Sequence, residues 1–139
     1  MAVTNTGVFA QGFAHDACVL TAAKTFYADG AGAVLLSTAG ANGSEYPHIA
    51  MIPRATITAT QGQLYGFDGT NYFLLATCLI PATTVNQTTA ISATLVQHVD
   101  GTQITEANPL RLQAGWKLYA AIGVALAGGV VCNAQRKDY

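Results

Sequence analysis

The chain has 139 residues, a net charge of −1, and only 9% charged against 51% hydrophobic side chains. That is room for one domain with a sizeable core, since a length near 150 buries roughly 68–70% of the unfolded surface without metal or disulfide staples. The scattered, nearly balanced charges exclude the basic footprint that nucleic acid or an anionic membrane surface requires.

In chain order, residues 1–16 show no regular period and contain Gly7 and Gly12, so they read as an N-terminal arm that orders against a neighbour. They also lack the positive start and continuous apolar run of a secretory signal. Residues 17–139 read as one β domain. Residues 17–25 suit a first strand, although their alanines also allow a short helix. A strand over 33–38 leads into the turn Gly40-Ala41-Asn42-Gly43-Ser44.

From residue 48 to 60 the odd positions Ile49, Met51, Ala55, Ile57 and Ala59 are apolar and the even ones include His48, Arg54, Thr56, Thr58 and Thr60. Period-two alternation predicts one long strand with one buried face. Pro53 cannot donate to a ladder, which implies an edge position or a bulge. Residues 63–67 and 72–80 flank Asp68-Gly69-Thr70-Asn71, a hairpin signal, because Asp and Gly suit a tight turn. Pro81 stops the second strand, and residues 81–89 read as a surface loop.

Residues 91–99 fit a strand, the reading we adopt, while Ile91, Leu95 and Val99 also share a helix face. Leu110-Arg111-Leu112-Gln113 alternates, Ala114-Gly115 turns the chain, and residues 116–122 and 130–135 supply the last strands. The apolar stretch 118–132 falls short of the ~20 residues a membrane-crossing helix needs. About eight short strands predict an all-β fold, an antiparallel sandwich or jelly roll.

Chemistry is sparse. Cys18, Cys78 and Cys132 are too few and too far apart for a disulfide framework and read as buried thiols of a protein assembled in a reducing cytoplasm. His15-Asp16-x-Cys18 is a possible metal fragment without the second cluster that three or four ligands demand. Asp29, Asp68 and Asp100 each precede a glycine, the position of a turn-forming Asp more than of an acid or base. No nucleophile elbow, phosphate loop or dinucleotide motif occurs. The expectation is no enzyme, no cofactor and no metal.

Two stretches together carry a resemblance. Ser37-Thr38-Ala39-Gly40-Ala41-Asn42-Gly43-Ser44 continues to Ile49, and Leu110-Arg111-Leu112-Gln113-Ala114-Gly115-Trp116-Lys117-Leu118-Tyr119 is followed by the terminal Asp138-Tyr139. These resemble small virion structural proteins of tailed bacteriophages, the capsid decoration or cement kind. The resemblance implies a β-sandwich that binds the major capsid protein on an assembled head, commonly as a homotrimer, with no nucleic-acid or membrane partner. A place in the neck, tail or fibre is the alternative.

A receptor- or carbohydrate-binding module, with Tyr65, Tyr72 and Trp116 as stacking platforms, is a rival of another class. The expected interface residues are Val8, Phe9 and Phe13 of the arm, with Trp116, Tyr119 and Tyr139. Low charge agrees with an exterior completed by neighbouring subunits.

Overall fold

A computed structural model describes residues 10–139. The described residues form ten strands and no helix: β1 Gly12–Leu20, β2 Val34–Thr38, β3 Ser44–Pro53, β4 Thr60–Phe67, β5 Tyr72–Ile80, β6 Thr94–Leu95, β7 Gln97–His98, β8 Leu110–Leu112, β9 Lys117–Ile122 and β10 Val130–Asp138. The first sheet runs β1-β10-β3-β6, with β8 also on β3, and the second runs β2-β9-β4-β5-β7. All named pairings are antiparallel. The two sheets pack face to face as a β-sandwich.

The core lies between them. Ile49 and Met51 of β3 and Val130, Cys132 and Ala134 of β10 point in from the first sheet. Leu64, Ala76, Leu118, Ala120 and Ile122 point in from the second. At the centre Gly62 leaves room for two sulfurs, because a Cβ there would collide with Met51 Sδ and Cys78 Sγ unless those side chains shift. Burial of the thiols fits their apolar setting: desolvation pushes Cys18 and Cys78 up to about 11 and raises Cys132 well above the ordinary thiol range.

Several elements differ from their sequence reading. The first strand spans Gly12–Leu20, so the last five residues assigned to the arm are strand. It stops at Leu20 because the chain then crosses to the second sheet, where Ala23 pairs in parallel with Ile122. The long strand expected over 48–60 ends at Pro53. Beyond it the Arg54 amide bonds Gly129 O at 3.0 Å and Ile57 bridges Thr83, so residues 54–59 are a crossing between sheets. Residues 91–99 yield two two-residue strands, one in each sheet, separated by the buried Val96. The last strand runs on to Asp138.

The two outer faces are unequal. Over the middle of the second sheet lies the segment 24–32. Lys24 stands 5.2 Å from the centre of the Tyr65 ring, the Tyr27 hydroxyl donates to Gln61 Oε1 at 2.8 Å, and Gly30 sits against the Tyr72 ring where a Cβ would overlap it. Tyr65, Gln63 and Ala121 are consequently buried although they point away from the core. Among the described residues no segment lies across β1 and β10 of the first sheet in this way, and only Ala50 of β3 is buried on that outer row.

Candidate interaction surface

On β1 alternation sends Phe13, His15, Ala17 and Val19 outward and Ala14, Asp16, Cys18 and Leu20 inward. Lys137, Gln135, Asn133 and Val131 of β10 stand opposite the outward four. His48, Ala50 and Ile52 of β3 continue the row. This outer face is almost free of charge. His15 Nε2 lies 3.1 Å from Asn133 Oδ1, and Lys137 pairs with Glu106 at the rim. A shallow groove of about 260 Å³ crosses it, lined by His48, Ala50, Ile52, Ala93 and Asn133. Neutral amides, imidazoles and small apolar side chains can be desolvated without the penalty of burying charge.

At one end the sheets are tied together by an ionic network. Arg136 Nη1 donates to Asp16 Oδ2 at 3.0 Å, Ser37 Oγ at 3.1 Å and Thr38 O at 3.0 Å. The Ser37 hydroxyl donates to Asp16 Oδ2 at 2.6 Å and lies 2.7 Å from the Tyr46 hydroxyl. Ser44 Oγ donates to Asp138 Oδ1 at 2.5 Å and accepts from the Gly40 amide at 2.8 Å. Arg136 Nε approaches Asp138 Oδ1 to 3.0 Å, but its N–H is out of line, so this contact is an ion pair without a hydrogen bond. Burial raises the Tyr46 phenol above its ordinary range.

Of the expected interface residues, Val8 and Phe9 lie outside the described residues. Phe13 is 77% exposed on the outer face of β1, opposite Lys137. Trp116 stacks on Phe73 with ring centres 5.8 Å apart and packs against the core edge. Tyr119 faces the other way, edge-on to Phe67 and Tyr72 at 5.9 and 5.4 Å. The Tyr139 amide bonds Gly43 O, and its hydroxyl bonds Glu45, which lowers the carboxyl and raises the phenol. Phe13, Trp116 and Tyr139 therefore gather at the networked end but on different faces.

The stacking platform is not assembled: Tyr65 is covered by Lys24, Tyr72 lies beneath Gly30, and Trp116 turns toward the gap between sheets.

The turn carboxylates serve their own loops. Asp68 accepts from the Thr70 and Asn71 amides at 2.8 and 2.7 Å, and Asp100 accepts from the Thr102 amide and hydroxyl at 2.9 and 2.6 Å. These bonds hold both below the ordinary carboxylate range. His15 points away from Asp16 and Cys18, so the three cannot converge on one ion. Among the described residues no group of three or more His, Cys, Asp or Glu is placed to hold a metal.

Sequence reasoning missed the ionic network, since Asp16 and Arg136 are 120 positions apart. It also missed Lys24, whose side chain is 1% exposed and bonds Asp29 at 2.8 Å and Phe26 O. No protein-family model, curated protein or solved structure matches the chain.

Proposed function

We propose that the chain is a noncatalytic structural subunit of a tailed-bacteriophage particle, a capsid decoration protein that binds the assembled head and strengthens it. One observation carries the reading: among the described residues the outer face of β1 and β10, continued by His48 and Ile52 of β3, is broad, open and nearly uncharged, while the opposite sheet carries its own cover. A cement subunit works through many modest contacts repeated by symmetry, and such a face supplies them without desolvating ion pairs. The resemblance in the turns 37–44 and 110–119 points the same way, and both segments lie at the end closed by Arg136.

Quantitative mass spectrometry of virions of the encoding phage tests this. Copies on the order of hundreds per particle support a head coat; about six or twelve, the numbers of closed rings, shift the protein to the neck or tail. Absence from the particle refutes the reading. His48→Glu and Gln135→Glu, which place carboxylates at exposed positions on the docking face, are expected to abolish binding to undecorated heads while leaving the fold intact.

A further inference from the structure

Among the described residues β1 and β2 are each paired on one side only, and both border the same flank of the sandwich. The other flank ends in β6, β7 and β8, strands of two or three residues. Very short edge strands are a standard protection against edge-to-edge pairing. The β1 flank has no such protection. Its strand is nine residues long with no proline, lysine or arginine, and its one carboxylate, Asp16, turns inward to Arg136 and Ser37.

Exposed apolar side chains line this flank: Phe13, Val19, Val34 and Leu35 are 77, 41, 38 and 45% exposed. The other flank exposes apolar side chains too, Leu79, Leu95 and Val99 among them, so the unpaired length of β1 sets the two flanks apart. Cys18 is half-buried while its register partner Cys132 is fully buried, as expected where the flank lies open.

We propose that β1 of one copy pairs antiparallel with β1 of a second copy about a two-fold axis at Ala17, joining two first sheets into one continuous sheet. An antiparallel edge complements itself, because a two-fold rotation brings its outward N–H groups onto the outward C=O groups of the copy. For the faces to remain continuous, the residue on the axis must oppose itself. An axis at Asp16 sets two carboxylates against each other, and one at His15 sets two imidazoles against each other. At Ala17, by contrast, two methyl groups meet, the segment 14–20 pairs with the same segment of the copy, and His15 stands opposite Val19 of the partner subunit.

A three-fold ring would instead require β1 to pair with the opposite flank, where only short strands stand; the edges favour a two-fold. The inference rests on the unpaired edge and is independent of the capsid reading.

The test uses the purified full chain. Sedimentation equilibrium is expected to show a dimer, and Ala17→Lys is expected to weaken it about tenfold or more while leaving the circular dichroism unchanged. In a Cys18→Ala background, A17C is expected to form a disulfide-linked dimer with oxidised glutathione. V19C alone is not, whereas H15C mixed with V19C is. A chain that stays monomeric up to about 1 mM overturns the inference. So does a dimer linked through V19C alone, or one insensitive to A17K and lost when residues 1–9 are removed, which would move the contact to that segment. A monomer that still coats heads overturns this inference and leaves the decoration reading standing.

Discussion

Replacing Arg136 with methionine isolates what the end network contributes. The guanidinium makes three hydrogen bonds through Nη1 and one ion pair through Nε, with its side chain 19% exposed beside Asp16 at 21% and Asp138 at 27%. Methionine keeps the stem volume, so little cavity opens. What remains is two mostly buried carboxylates without their cation. Breaking a fully buried pair costs about 3–5 kcal/mol, and partial water access at this end reduces that to about 3 kcal/mol.

For a domain of this size the loss corresponds to a fall in Tm of roughly 10 °C. Urea unfolding is the assay, with an unchanged m-value showing that only stability moved. Adding Asp16→Asn should recover about 1–2 kcal/mol of the loss, because one stranded charge is then gone. A R136M chain within about 0.5 kcal/mol of the parent, folded and with unchanged m, would refute the reasoning, since surface changes of no structural consequence fall in that range.

Gly62→Ala is expected to cost about 2 kcal/mol by overpacking Met51 and Cys78, and Cys78→Ala in the same chain should return part of it, measured by denaturant midpoints. Lys24→Met should leave stability within about 1 kcal/mol, since an apolar side chain of similar length replaces a desolvated ammonium, whereas Lys24→Ala should lose about 2–3 kcal/mol by opening a cavity above Tyr65. Because burial raises all three thiols, the thiolate is scarce at pH 8. The native chain should therefore react slowly with an aromatic disulfide reagent, faster as pH rises toward 11 for Cys18 and Cys78, and fully once unfolded. Rapid labelling of native Cys132 at pH 8 would contradict the burial.

Where local chemistry and tertiary packing agree, the sequence predicts the fold closely. The hairpin around Asp68-Gly69 is an example: Asp68 caps its own loop and Pro81 follows the last residue of β5. Where they diverge, periodicity misleads. Alternation continues past Pro53 because Ile57 is buried in a crossing segment, and a loop with one inward residue mimics a strand. On β1 the pattern is inverted, with Phe13 outward and Asp16 inward, so the strand start escaped notice. Trp116, which follows the turn Ala114-Gly115, is partly buried and packs against the core. The partners of Arg136, in contrast, are set by register between distant strands, and nothing local encodes that pairing.

The segment 24–32 gives the molecule a front and a back. Insertions or affinity tags placed near residues 27–31 would project from the side opposite the bare sheet, leaving that sheet unobstructed. In any layer built by docking through the first sheet, every copy would then display such a graft in the same direction, on the exterior of the finished particle.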